Sequence, residues 1–92
     1  MKVAVLVHIE GRVQRVWFRG WTIEQARLRD LTGWVRNRSD GSVEALFCGR
    51  PEQVQTMVEA CWRGPPAARV SAVRSLPVDP PELIDFVPRP SA

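Results

Sequence analysis

The sequence predicts one α+β domain in which two helices cover a single face of an antiparallel sheet, in the order β-α-β-β-α-β. Three observations predict it: an alternating apolar run near the N-terminus, two helical stretches flanking a strand-turn-strand unit, and a fourth strand-like run after a Gly-Pro-Pro break. Ninety-two residues are enough for one core. Hydrophobic residues make up 45% and charged residues 25%, ordinary values for a folded domain, which argues against global disorder.

Val3, Val5, Val7 and Ile9 alternate with Lys2, Ala4, Leu6, His8 and Glu10, the period of a strand with one strongly buried face. Gly11 to Gly20 has no clean period and reads as a long loop. Trp21 to Leu31 carries Thr22, Glu24, Gln25 and Ala26 and reads as the first helix, ended by Gly33. Trp34–Asn37, the turn Arg38-Ser39-Asp40-Gly41 and Ser42–Cys48 form a hairpin signal. Pro51 in a first turn, followed by Val54, Met57, Val58, Cys61 and Trp62 at i, i+3, i+4, i+7 and i+8, gives an amphipathic second helix. Gly64-Pro65-Pro66 stops it.

Arg69–Leu76 is the fourth strand, and Leu83–Val87 is a candidate short edge strand. Seven of the eight prolines follow residue 64, so residues 88–92 are expected to be irregular. The order is that of the ferredoxin-like fold, over residues 1–92 as a single domain. This fold hosts catalysis, RNA binding and small-ligand regulation alike, so function has to be argued from a site.

A net charge of +3 and a pI near 9.7 favour an anionic partner without choosing between a phosphate ligand and a nucleic acid. Twelve of the thirteen basic residues are arginine; Lys2 is the exception. The N-terminal run is too short for a signal peptide or a membrane span, which points to a soluble cytoplasmic protein. Cys48 and Cys61 lack the spacing of a zinc site and are expected to be free, packed thiols.

Much chemistry is missing. His8 is the sole histidine and lies within a strand, and no serine or cysteine has an evident His and Asp set to activate it. A cysteine phosphatase needs arginine six positions after its cysteine, but Val54 and Ala67 stand there. A Walker loop needs a lysine at the end of a glycine-rich run, and Lys2, the only lysine, stands in no such run. Acidic pairs such as Asp79 with Asp85, or Glu24 with Asp30, are equally well explained as solvated side chains. An enzyme built from what remains must act on a substrate that brings its own good leaving group.

The loop Gly11-Arg12-Val13-Gln14-Arg15-Val16-Trp17-Phe18-Arg19 passes from a buried strand into a helix. Such a loop offers backbone N–H groups to an anion, the helix dipole favours negative charge, and Arg19 can add a planar fork to two phosphate oxygens. Taken alone, Arg19 reads equally well as a solvated arginine and Asn37 as a turn residue.

This loop resembles the acylphosphatase signature glycine-x-valine-glutamine-glycine-valine-x-aromatic-arginine, with Arg15 in place of a glycine. The stretch Gly33-Trp34-Val35-Arg36-Asn37-Arg38-Ser39-Asp40-Gly41-Ser42-Val43, with Gly49 beyond it, resembles the second signature of that family. Thr22, Ala26, Leu31, Gln53-Val54 and Ala68-Arg69-Val70 also fit, so the resemblance covers nearly the whole chain. It implies that Arg19 and Asn37 are catalytic. Arg19 would grip the phosphate together with the amides of Val13, Gln14, Arg15, Val16, Trp17 and Phe18, and Asn37 would orient the attacking water.

The resemblance further implies a small-molecule acyl phosphate as substrate and inorganic phosphate as product and inhibitor. It implies no cofactor, metal, membrane or nucleic-acid partner, and a monomer. An acyl phosphate expels a weakly basic carboxylate, so no general acid is needed and positioning with charge stabilisation suffices. Three departures bear on efficiency: Arg15 in the cradle, Arg29-Asp30 in place of leucine and glycine, and an end, Phe86-Val87-Pro88-Arg89-Pro90, without the usual Arg-Tyr. The rival readings are a phosphate-binding module with weak turnover and, on the strength of its arginines and of Trp17, Trp21, Trp34 and Trp62, a single-strand RNA binder. The RNA reading lacks the glycine-aromatic strand signature, and Trp34 and Trp62 are expected in the core.

Overall fold

The computed structural model describes residues 1–92 throughout. In chain order the elements are β1 (Val3–Arg12), α1 (Phe18–Leu28), β2 (Thr32–Asn37), β3 (Val43–Gly49), α2 (Pro51–Cys61), β4 (Arg69–Val78) and β5 (Phe86–Pro88). They build one sheet with strand order β4-β1-β3-β2-β5. β1 pairs antiparallel with β3 and β4, and β2 pairs antiparallel with β3, as the βαββαβ pattern predicts.

The extra C-terminal strand is present, but it joins β2 in parallel and makes the sheet mixed. The cause is topological. β4 and β5 lie on opposite edges, and the chain crosses between them at one end of the sheet, where Leu83 packs on Ala4, Trp34, Leu46 and Cys48. A chain that crosses there and returns runs opposite to β4, and that direction is parallel to β2.

The alternation in β1 divides the sheet's two faces. Val7 and Ile9 join Val35, Val43, Ala45 and Phe47 in the main core, where Phe18, Trp21, Ala26, Val54, Met57 and Cys61 from the helices meet them. The other face is not wholly solvated as a one-faced strand would suggest, since Ala4, Trp34, Leu46 and Cys48 form a second small cluster. Trp34 is buried there, with the Arg36 and Arg89 guanidinium groups each 4.9 Å from its ring centroid. Trp62 departs from expectation: it caps α2 and is half-exposed, because the helix has turned past the core by that point. Both cysteines are free and buried, and desolvation pushes the Cys61 thiol up to about 12, which keeps it protonated and unreactive.

The end of α1 is made by Asp30, at φ 56°, and not by Gly33. Asp tolerates the left-handed region better than most residues. Gly33 lies inside β2 at φ 141°, where a Cβ would fall 1.8 Å from the Leu46 carbonyl oxygen. It is there for close strand approach. Arg29 does not loosen α1: its guanidinium donates to the Gln25 carbonyl and side chain and to Thr56 Oγ1 on α2.

Pro88 ends β5, and residues 89–92 carry no regular element, as the prolines there suggest, yet their backbone is bonded. Arg89 N–H donates to the Val35 carbonyl, Ala92 N–H to that of Asn37, and Ser39 N–H to that of Ala92. These bonds hold the tail along β2, next to Asn37.

Candidate active site

β1 ends with a register shift at Glu10/Gly11, and Gly11 adopts φ 122° where a Cβ would strike the Arg69 carbonyl. This bulge turns the chain off the sheet and into the loop that feeds α1. Val13 and Val16 bury their side chains in the core and anchor the loop from below. Gln14 anchors it sideways: its Nε2 donates to the carbonyls of Arg38 and Ser42, both at 2.8 Å. The loop is therefore tied to the β2–β3 hairpin within one residue of Asn37.

Arg15 and Trp17 adopt φ 62° and 65°. Left-handed residues at alternate positions turn successive N–H groups toward one concave side. Trp17 is the N-cap of α1 and supplies no side-chain cap, and the first turn contains no acidic residue. The N–H groups of Phe18, Arg19 and Gly20 have no intrahelical acceptor one turn earlier. Together with the helix dipole they form a site suited to an anion. The buried Thr22 hydroxyl donates to the Phe18 carbonyl at 2.7 Å and fixes this first turn from the core side.

A cleft of about 330 Å³ opens over these groups, lined by Val13, Arg15, Trp17, Phe18, Arg19, Gly20, Ile23, Asn37 and Pro88. Arg19 and Asn37, eighteen positions apart on different elements, thus share one wall-to-wall space. The chain's ion pairs employ Arg27, Arg36, Arg38 and Arg74 and leave Arg19 out. Arg36 and Arg38 both bind Glu44 on the opposite face. Gln14 and Val16 belong to the loop, but their side chains brace it and do not line the cleft. Gly20, Ile23 and Pro88 line it without having been singled out in the sequence. Gly20 was read as the end of the loop before Trp21, so its place in the helix's first turn had no signal, and Pro88 belonged to a segment read as irregular.

One cluster escaped the sequence. His8 Nε2 lies 2.7 Å from Ser42 Oγ, which is 2.5 Å from Asp40 Oδ1. In a nucleophilic triad the imidazole bridges hydroxyl and carboxylate, whereas here the hydroxyl stands between them and Ser42 is buried. The cluster instead shapes the hairpin that receives Gln14. Hydrogen bonds from the Ser42 hydroxyl and N–H hold the Asp40 carboxyl below its ordinary value. Its contribution is present above the unfolded carboxyl's pKa and fades as the pH falls through the lowered folded value.

Arg15 gives the first prediction. A left-handed L-residue costs about 1–2 kcal/mol, and glycine's extra freedom in the unfolded chain returns part of that. Arg15→Gly is expected to raise stability by about 0.5–1 kcal/mol, with turnover equal or higher. Urea titration and steady-state kinetics check it. A clear fall in both would show that the loop's shape depends on arginine.

The acylphosphatase family model matches residues 5–87 of this chain. An acylphosphatase of Rhodospirillum rubrum is 53% identical over 87 residues, covering 95% of this chain and 96% of the relative. The structure of an acylphosphatase from Coxiella burnetii superposes with a TM-score of 0.93 at 36% identity, over 96% of this chain and 93% of that one. The acylphosphatase from Bacillus subtilis gives 0.91 at 34% identity, over 95% and 98%. Fold and comparisons together define a hydrolase scaffold of the ferredoxin-like class. The chain belongs to the acylphosphatase family. No helix is long and apolar enough to cross a membrane.

Proposed function

We propose that this protein hydrolyses acyl phosphates to a carboxylate and inorganic phosphate by direct attack of water on phosphorus. The observation that carries the proposal is the meeting of Arg19 and Asn37, from two separate sequence motifs, in one cleft over the uncapped start of α1. Arg19 and the loop amides hold the phosphate oxygens and offset the charge of the transition state. The Asn37 side-chain amide orients the water for in-line attack. The new P–O bond forms as the bond to the carboxylate oxygen breaks. The electron pair leaves on the carboxylate, and the water's proton passes to a phosphate oxygen. No protein acid or base is needed.

The reading predicts a particular substrate range. Acetyl phosphate and benzoyl phosphate are expected to be hydrolysed equally well with and without EDTA, while p-nitrophenyl phosphate is a far poorer substrate because no group protonates its more basic leaving oxygen. Phosphate-release assays on all three substrates test this. Equal rates on the ester and the anhydrides, or loss of activity in chelator, would overturn it.

A further inference from the structure

Beyond the groups that would hold phosphate, the cleft continues to the side chains of Trp17 and Ile23, which leaves a remainder for the rest of a substrate. What lines that remainder is set by Trp17. The residue is 59% exposed, so burial in the core does not explain its size. It also holds a left-handed backbone that costs any L-residue.

Gly20 shows how the indole is placed. A Cβ on Gly20 would lie 2.2 Å from Trp17 Nε1 and 2.7 and 2.8 Å from Cε2 and Cδ1. The five-membered ring therefore lies directly against the backbone of the first helical turn, where a side chain at position 20 would push it aside. Glycine within a helix is itself costly. Two unfavourable local choices thus combine to hold a flat aromatic surface at the rim of the cleft. Ile23, three residues along the same helix face, extends the surface, and it too lines the cleft.

In-line displacement fixes which way the carboxylate leaves. Water enters from the side of Asn37, so the acyl group points away from β2 and from Pro88 of β5, whose backbone pairs with Val35. Of the cleft residues outside β2 and β5, Val13 and Phe18 are buried and Arg15 and Arg19 are charged. Trp17 with Ile23 is the accessible apolar surface that remains.

We infer that Trp17, seated on Gly20 and extended by Ile23, forms an acyl-group subsite that favours aromatic over short aliphatic acyl phosphates. The inference rests on the proposed hydrolysis for its leaving-group direction. A flat π-face rewards an aromatic acyl group by offset stacking, which a methyl group cannot supply.

Two readouts test it separately. In binding, calorimetry with the non-hydrolysable benzoylmethylphosphonate and acetonylphosphonate is expected to show the aromatic analogue bound about 3–10-fold more tightly by the wild type. Trp17→Ala should erase that difference, and Trp17→Phe should keep it within about twofold of the wild type. In turnover, the ratio of kcat/KM for benzoyl phosphate to that for acetyl phosphate should fall by the same 3–10-fold in Trp17→Ala and recover in Trp17→Phe.

Equal dissociation constants for the two analogues in the wild type would overturn the subsite, and so would a Trp17→Ala variant that lowers both kcat/KM values by one factor. Absence of hydrolysis with differential binding intact would instead sink the proposed reaction and leave the subsite standing.

Discussion

Arg19→Ala is expected to lower kcat/KM for benzoyl phosphate by roughly 10²–10⁴, because two charge-assisted hydrogen bonds to phosphate oxygens are worth about 1.5–3 kcal/mol each and every 1.4 kcal/mol is a factor of ten. The fold gives no reason for a compensating loss of stability. Arg19 is exposed, occupies the second position of α1 and takes no part in the chain's ion pairs. Alanine is the better helix former. Thermal melting of the variant should stay close to that of the wild type, while the rise in melting temperature caused by added inorganic phosphate should largely vanish. Arg19→Lys keeps the charge without the planar fork, so it should fall between the two. A loss of less than tenfold in Arg19→Ala, in a protein that still melts normally, would remove Arg19 from the phosphate site.

The regular elements were legible because their causes are local. Alternation in Val3–Ile9 marks β1, and the i, i+3, i+4, i+7 spacing from Val54 to Cys61 marks α2; Val54, Met57 and Cys61 bury as predicted, and so do Val7 and Ile9, while Val3 and Val5 are half-buried and Ala4 is buried on the opposite face. The boundaries that slipped had non-local or unusual causes. α1 begins at Phe18, three residues before the expected Trp21, because its N-cap is a left-handed tryptophan with no Ser, Thr, Asp or Asn to announce it. Its end was assigned to Gly33 because glycine is the common terminator, yet Asp30 takes the left-handed turn while Gly33 serves strand contact. The parallel pairing of β5 and the backbone bonds of residues 89–92 depend on where β2 lies in space.

The candidate site was legible in a different way. Neither Arg19 nor Asn37 stood out by charge, period or exposure, and the signal came from the resemblance of the two motifs. The positive φ at Arg15 accords with the glycine that stands there in the resembling loop, whereas that at Trp17 had no signal in the spacing, since an L-residue is expected to avoid it. The cleft's apolar rim remained hidden because it joins residues from a loop, a helix and the edge strand β5. Sequence separation says nothing about such a meeting.

Asn37→Ala is expected to lower kcat by about 10²–10³ while leaving the affinity for inorganic phosphate within a few-fold of the wild type. Asn37 is the last residue of β2 and lies on the same side of the sheet as Val35, two positions before it, but at the end where the phosphate loop arrives. Its backbone is fixed on two sides. It pairs with Val43 of β3, and its carbonyl accepts the Ala92 N–H. Gln14 bonds the carbonyl of the next residue, Arg38, so the strand end and the loop move as one unit. Truncation to alanine leaves all of these backbone bonds in place and removes only the side-chain amide. A group that orients water contributes to the transition state and little to the bound phosphate, so the loss should appear in kcat and not in product inhibition. Steady-state kinetics on benzoyl phosphate, with phosphate-dependent melting of the same preparation, separate the two. Near-normal kcat would show that water is placed by other means, and a parallel loss of phosphate stabilisation would make Asn37 a phosphate ligand and not the group that places the nucleophile.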